Sequence, residues 1–182
     1  MRLKVNFFNR DTVIVAKELL GKYLCRKIGN KVVRVKITET EAYCGIKDKA
    51  CHASKGLTPR TKIMFGHPGY AYVYMIYGMY YCLNLVTREA GCPEAVLIRG
   101  GEKLNGLRRG GEAALRGPGK LCLELKIDKK LNGMDIFKSK ELWIENGEKV
   151  KPSQIKKGKR IGIDYAGKWK DKLWRFWVNP FK

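Results

Sequence analysis

KVVRVKITETEAY, residues 31–43, is the stretch that sets the fold class of this chain. Its aliphatic residues recur at every second position up to Ile37, which is typical of a β-strand with one buried face. The same alternation continues through Glu39, Glu41 and Tyr43, and side chains at i and i+2 share a face, so both carboxylates are predicted on the core-facing side. A charged group there is costly unless it is paired or lines a cleft. We therefore expect the functional site at the end of this strand.

Short strands joined by tight turns dominate the rest of the chain. Asp11 caps a predicted helix, and Gly29-Asn30 is typical of a turn joining a strand over residues 23–28 to the opening stretch. The other predictions are strands over residues 70–76, 80–86, 95–99, 142–145, 149 onward and 173–178, a helix over 120–126, a basic turn at 156–160 and a connector over 100–119 with a helical turn at 112–115. This count indicates an α+β fold in a single domain spanning residues 1–182.

The charge balance of the chain is strongly basic. Of its 182 residues, 38 are Lys or Arg and 17 are Asp or Glu, which gives a formal net charge of +21. An excess of this size indicates an anionic partner, either nucleic acid or an acidic membrane surface. No stretch approaches the roughly 18 apolar residues of a membrane helix, and the first residues lack the apolar core of a signal peptide. We therefore expect an intracellular protein that binds nucleic acid and no membrane.

The six cysteines are predicted to be free thiols. Without a secretory signal, a reducing compartment is expected, and disulfides are not. No CxxC pair occurs, and the spacing of Cys44, Cys51 and His52 fits no common zinc site. We therefore predict no metal site.

Tyrosines are concentrated in the predicted hairpin of residues 70–86. Most of them suit a strand, where aromatic residues pack well, but Tyr77 falls at the predicted turn, where a large aromatic has nothing to pack on. A protein that acts on a base in duplex DNA must take that base out of the stack, hold it in an aromatic pocket and fill the gap. Tyr43, His52 and Tyr74 are candidates for the pocket walls, and Tyr77 is the candidate for the inserted residue.

A carboxylate beside such a pocket has a chemical use. It can act as a general base on a water molecule and can stabilise the oxocarbenium-like sugar that forms as an N-glycosidic bond breaks. Only one of Glu39 and Glu41 is needed for this role. The competing interpretation of the two glutamates is an edge strand with solvated charges. No single lysine stands out as a nucleophile, which favours direct hydrolysis over a Schiff base. The alternative function is a non-catalytic nucleic-acid-binding module, which needs the charge and the aromatics but no inward carboxylate.

Taken together, these segments resemble the alkyladenine (3-methyladenine) DNA glycosylase family. The resemblance covers nearly the whole chain in the family's order and spacing, so that it is highly specific jointly although each piece alone is weak. In the first half the matching segments are ITETEAY (37–43), DKACH (48–52), TPR (58–60), MFG (64–66), PG (68–69), YVYMIYGMY (72–80) and CLN (82–84). In the second half they are VLIR (96–99), GPGKLC (117–122), RIGI (160–163) and WRF (174–176).

The resemblance implies a fold and a reaction. The family fold is a single domain with a curved antiparallel sheet from which the aromatic hairpin projects. Its members release alkylated or deaminated purines, such as 3-methyladenine, hypoxanthine and ethenoadenine, from double-stranded DNA without metal or cofactor. By this resemblance Glu41 is the general base and Arg99 helps to position the water. We expect the protein to act as a monomer.

The resemblance also implies roles for the remaining candidates. Tyr43, His52 and Tyr74 resemble the residues that enclose the flipped base. Tyr77 resembles the residue inserted into the duplex. Asn84 resembles the pocket residue that disfavours a purine carrying an exocyclic 2-amino group.

Overall fold

The computed structural model describes residues 1–104 and 114–179, and strands are the most common regular element among them. The strands are β1 (Tyr23–Ile28), β2 (Lys31–Cys44), β3 (Ala71–Ile76), β4 (Tyr80–Thr87), β5 (Glu94–Lys103), β6 (Ala114–Arg116), β7 (Leu142–Glu145), β8 (Lys156–Gly158) and β9 (Arg175–Trp177). The α-helices are α1 (Val5–Phe8), α2 (Thr12–Glu18) and α3 (Pro118–Glu124), and 3-10 helices span His52–Lys55, Lys62–Phe65, Lys129–Leu131, Pro152–Gln154 and Asp164–Asp171. Within the two described ranges, no helix has both the length and the apolar character of a membrane span.

The strands of the described residues form one antiparallel sheet around β2. The main strand order is β3-β4-β5-β2-β1-β7, while β6 pairs with β5, and β9 pairs with both β2 and β8. Along one edge β2 pairs with β5, and along the other it pairs first with β1 and then, near its end, with β9. These findings confirm the α+β fold class, with a large antiparallel sheet and a few short helices.

The main hydrophobic core lies between one face of the sheet and the helices α2 and α3. Helix α2 begins where the sequence predicts, because the Asp11 carboxylate accepts a hydrogen bond from the Ile14 N–H at 2.9 Å and caps the helix. Helix α3 begins at Pro118 rather than at residue 120. Proline is favoured in the first turn, where its missing N–H leaves no bond unmade.

A double register shift interrupts the pairing of β2 with β5. The partners around it are Ile37 with Gly101, Glu39 with Gly100 and Thr40 with Ile98. One extra residue is therefore inserted in each strand, Thr38 in β2 and Arg99 in β5. An extra residue of this kind is a β-bulge, and it moves the side chains that follow it to the opposite face.

As a result, Glu41 and Tyr43 do not share a face with Ile37. Both Ile37 and Ala42 belong to the main core, whereas Tyr43 packs in two separate clusters on the other side. The prediction that the carboxylates face the main core is wrong, because it assumed an unbroken alternation. Glu41 is nevertheless fully buried, since residues 160–163 cover this second face and contribute a backbone hydrogen bond to it.

The predicted connector over residues 100–119 is also wrong where it can be checked. Strand β5 continues to Lys103, and β6 stands where the end of the helical turn was predicted; residues 112 and 113 of that turn lie outside the described residues. Glycine is typical of loops, but Gly101 lies in a strand and permits close approach of two strands. A Cβ at this position would lie 2.7 Å from the carbonyl oxygen of Lys36.

The strand predicted from residue 149 onward does not begin there, and the strand that follows β7 is β8, from Lys156. Strand β7 pairs with β1, and the basic turn predicted at residues 156–160 begins with strand β8, which pairs with β9. Asn146-Gly147 matches a hairpin turn locally, but Gly147 packs on Gly21, so closely that a Cβ would lie 2.1 Å from the Gly21 oxygen. A contact so distant in sequence leaves no local signal.

We predict that Gly101→Ala destabilises the protein by about 1–3 kcal/mol, the usual range for overpacking. The added Cβ would lie 2.3 Å from Val35 Cγ1 and 2.7 Å from the Lys36 oxygen, beside the bulge that contains Arg99. Urea denaturation measures the loss of unfolding free energy. Glu102→Ala, at the next position of β5, adds no atoms and should cost much less; equal losses in the two variants would contradict the close-approach argument.

Candidate active site

A cavity of about 340 Å³ opens on the face of the sheet opposite the main core. Its lining comes from β2, β3, β4 and β5, from the loop after β2, and from residues 161–165. Six of the seven residues singled out from the sequence line it, namely Tyr43, His52, Tyr74, Tyr77, Asn84 and Arg99. The seventh, Glu41, lies behind the lining and contacts Tyr43. The fold therefore brings all seven to one place.

The Glu41 carboxylate has no exposed surface and is held by two hydrogen bonds and one ion pair. The Tyr43 hydroxyl donates to Oε2 at 2.8 Å, the Ile161 N–H donates to Oε1 at 2.9 Å, and the positively charged Arg99 has its Nη1 3.6 Å from Oε1. Burial raises the pKa of Glu41, and the charge of Arg99 and the two hydrogen bonds oppose the rise without cancelling it. A carboxylate offers about four lone-pair positions. Acceptor capacity therefore remains for a water molecule, on a carboxyl whose basicity is increased.

Glu39 fixes the position of Arg99. Its Oε1 accepts from Arg99 Nε at 3.1 Å and from Arg175 Nη1 at 3.2 Å. Arg99 is the extra residue of the bulge in β5, so its side chain reaches both glutamates on the same face of β2. The two glutamates thus differ in their surroundings. Glu41 is enclosed beside the cavity, whereas Glu39 is the acceptor that two arginines share.

The three aromatic residues predicted as pocket walls, Tyr43, His52 and Tyr74, line the cavity. The ring centroids of His52 and Tyr74 are 4.6 Å apart, with an interplanar angle of 68°. His52 Nδ1 lies 2.9 Å from the hydroxyl of Tyr72, which orients the imidazole. Burial, together with the positive charges of Arg60 and Lys55, lowers the pKa of His52 to about 4, so the ring is neutral at pH 7. The walls therefore present uncharged aromatic surfaces.

Two buried side chains on the β3–β4 pair complete the walls. Asn84 lines the cavity, and its Nδ2 donates to the Tyr72 carbonyl at 3.2 Å, which fixes the plane of the amide. Tyr72, which is not among the residues predicted for the site, lines the cavity and holds His52. Its alternation with Tyr74 along β3 was the available signal. Ile161 was also missed as a donor, because a backbone N–H leaves no side-chain signature.

Tyr77 is at the exposed tip of the β3–β4 hairpin, at the mouth of the cavity. Its side chain is 86% exposed. Tyr77 and Gly78 have φ values of 52° and 68°, and the Met79 N–H donates to the Ile76 carbonyl at 3.2 Å to close the turn. A non-glycine residue in this left-handed region costs roughly 1–2 kcal/mol. The turn therefore presents an aromatic ring to solvent in a backbone conformation that tyrosine does not favour.

The thiols show no sign of disulfide or metal chemistry. All six cysteines are free, as the sequence predicts. In the part of the chain that the structure describes, no three His, Cys, Asp or Glu side chains are grouped as metal ligands would be.

Comparison with known proteins identifies the family. A family model described as methylpurine-DNA glycosylase matches residues 6–181. Three relatives are each named "Putative 3-methyladenine DNA glycosylase". The one from Methanocella arvoryzae is 50% identical, and the match covers 94% of this chain and 90% of the relative. Those from Natranaerobius thermophilus and Legionella pneumophila are 44% and 48% identical, with 100% and 96% of this chain and 98% and 94% of the relative covered. The chain belongs to the methylpurine-DNA glycosylase family.

Proposed function

We propose that this protein releases damaged purines from double-stranded DNA by hydrolysing the N-glycosidic bond, as a DNA glycosylase of base excision repair. The observation that carries the proposal is the buried Glu41 carboxylate, oriented by Tyr43, Ile161 and Arg99 directly behind an aromatic cavity. A module that only binds nucleic acid needs no such group. Desolvation of the Glu41 carboxylate costs stability, and such a cost is typical of functional sites.

The cavity suits a base that has been turned out of the duplex. Its volume of about 340 Å³ lies within the usual range for small-molecule sites. A flipped purine would stack on Tyr43, His52 and Tyr74, and stacking on an aromatic ring contributes about 1–3 kcal/mol per base. Asn84 would disfavour a purine with an exocyclic 2-amino group, which selects against normal guanine. The proposed substrates include 3-methyladenine, hypoxanthine and ethenoadenine.

Hydrolysis then needs one activated water. Glu41 accepts a proton from the water while the water oxygen bonds to C1′ of the sugar. The C1′–N bond breaks, and its electron pair leaves with the purine. Arg99, fixed by Glu39, positions the water. Before the proton is transferred, the negative charge of Glu41 also stabilises the oxocarbenium-like sugar. This mechanism assigns no step to a metal or cofactor.

Binding to the duplex uses two further features. The net charge of +21 attracts the phosphate backbone. The exposed Tyr77 ring would enter the stack and fill the gap that the flipped nucleotide leaves. We propose that the protein acts on DNA as a monomer inside the cell.

The proposal is tested first by Glu41→Gln. We expect the single-turnover rate of base release from a hypoxanthine-containing duplex to fall by about 10²–10⁴-fold, the usual contribution of a general base, because the amide cannot accept the proton. Duplex affinity should change little, since Glu41 is buried behind the cavity. A panel of duplexes carrying 3-methyladenine, hypoxanthine or ethenoadenine identifies the preferred substrate.

The matched control is Glu102→Gln, the same chemical change on the neighbouring strand β5. It should leave base release within a few-fold of the wild-type rate. If wild-type protein binds every duplex of the panel but releases no base, the binding module becomes the better description. If Glu41→Gln still releases hypoxanthine at the wild-type rate, Glu41 is not the general base.

A second prediction concerns Tyr77→Ala. Loss of the inserted ring should weaken binding to a lesion duplex by about 1–3 kcal/mol, the worth of one stacked base. The slope of log K against log salt should stay the same, because the number of neutralised phosphates does not change. Fluorescence of 2-aminopurine beside the lesion reports flipping. Tyr77→Trp keeps a stacking ring and serves as the matched control; equal affinity and flipping in the alanine variant would rule out insertion.

A further inference from the structure

Three chain segments that carry the candidate site meet at one buried ion pair. The segments are the end of β2, the loop that leads to His52, and residues 160–174. Asp48 and Arg160 join them, and both side chains are completely buried, at 0% exposure. Neither residue lines the cavity. The pair therefore lies beneath the site, where it can act only through its neighbours.

The two side chains are bound to each other in a bidentate arrangement. Arg160 Nη1 lies 2.5 Å from Asp48 Oδ2, and Nη2 lies 2.8 Å from Oδ1. Arg160 also donates from Nη1 to the Ala42 carbonyl at 2.9 Å and from Nη2 to the Trp169 carbonyl at 3.3 Å. A lysine has the charge of arginine but not this planar fork of donors.

Asp48 carries the connection on to the other two segments. Its carboxylate accepts hydrogen bonds from the Cys44 N–H, at the end of β2, and from the Ala50 N–H, each at 3.1 Å. Its own carbonyl accepts from the Cys51 N–H at 2.8 Å, immediately before the 3-10 helix that begins with His52. The same residue thus holds the strand that bears Tyr43 and the turn that bears His52.

Arg160 contacts the groups that surround Glu41. Its guanidinium carbon lies 4.8 Å from the centroid of the Tyr43 ring and 5.1 Å from that of Trp174, so the cation is near both aromatic rings. The hydroxyl of the same Tyr43 donates to Glu41, and so does the N–H of Ile161, the residue that follows Arg160. Both hydrogen-bond donors to Glu41 therefore lie next to Arg160, one in space and one in the chain.

Fold stability alone is a weak explanation for this arrangement. A buried ion pair often contributes no more stability than apolar side chains of similar volume would. Arg160 Nε, moreover, has no hydrogen-bond partner among the described residues. The contacts that are made converge on the site, so placement of Glu41 and Tyr43 accounts for them better.

We propose that Arg160 and Asp48 are positioning residues, which hold the Ile161 amide and the Tyr43 ring so that Glu41 points at the attacking water. The inference rests on the proposed function of Glu41 as general base. It identifies the residues that set the direction and the basicity of that base from beneath the cavity. Among the described residues, the charged or titratable groups that face Glu41 are Arg99, Tyr43, Glu39, Tyr74 and Cys82.

Arg160→Lys and Asp48→Asn test the proposal. Both nearly keep side-chain volume but lose the bidentate bond. The single-turnover rate on a hypoxanthine duplex should fall by about 10-fold or more, as misplacement of reacting groups does, while the dissociation constant for the duplex changes by less than about 3-fold because no phosphate contact is lost. The acid limb of the pH–rate profile should also move to higher pH. The ionised form of Glu41 loses a donor when Ile161 shifts, so its pKa rises further.

Arg26→Lys is the matched control. Arg26 is largely buried and pairs with Glu141 on the far side of the sheet, so this variant should keep the wild-type rate and acid limb. An unmoved acid limb with a wild-type rate in both site variants would overturn the proposal. So would loss of cooperative thermal unfolding in both site variants but not in Arg26→Lys, because the pair would then be structural. Base release by wild-type protein and its absence in Glu41→Gln are measured in parallel, so that failure of the proposed function is recognised separately.

Discussion

A carboxylate without exposed surface has to find its hydrogen-bond donors inside the protein, and Glu41 places that demand on the whole structure. Its hydrogen-bond donors are the Tyr43 hydroxyl on β2 and the Ile161 N–H, and its ion-pair partner is Arg99 on β5. Segments remote in sequence must therefore be in register before the charge is stabilised. The same demand explains why residues 160–174 cover this face of the sheet. Without the Ile161 amide and the Arg160 contacts beneath it, the carboxylate would be open to solvent or left unsatisfied.

The bulge pair in β2 and β5 is the second constraint. It turns Glu39, Glu41 and Tyr43 away from the main core and gives Arg99 a position between the two glutamates. Glu39 and Glu41 are matched by Arg99 and Arg175, so the four formal charges cancel around the carboxylate. Close approach of the strands needs Gly101. The residues around the two bulges therefore determine the packing, the strand register and the charge balance of the site together.

The sequence predicts those features that local patterns encode. The β1–β2 hairpin, the Asp11 cap and the aromatic hairpin follow from alternation, capping and turn residues at short range. The strand partner of β7 and the continuation of β5 past Arg99 do not, since each is decided by a segment far away in the chain. The bulge belongs to this second group. The alternation predicted the strand correctly, but it placed Glu39 and Glu41 on the wrong face.

The candidate site divides in the same way. Its seven residues could be identified from their types and from resemblance, yet the groups that hold them could not. Ile161 acts through its backbone, Tyr72 looks like any strand tyrosine, and Arg160 is one basic residue among 38. Their importance depends on which distant groups they meet, and only the fold determines that.

Tyr77 differs from Glu41 in being exposed and in having a backbone conformation that costs stability. The Glu41 carboxylate finds its hydrogen-bond donors within the protein. Tyr77, in contrast, is 86% exposed in a left-handed conformation, and nearby Met79 is 66% exposed. Glycine at position 77 would relieve the backbone strain. The exposed ring is thus available to a second molecule, as the proposed insertion into DNA requires. A pocket beside a projecting ring is the combination that a base-flipping protein needs, because a ring can fill the gap in the DNA stack while a pocket holds the base.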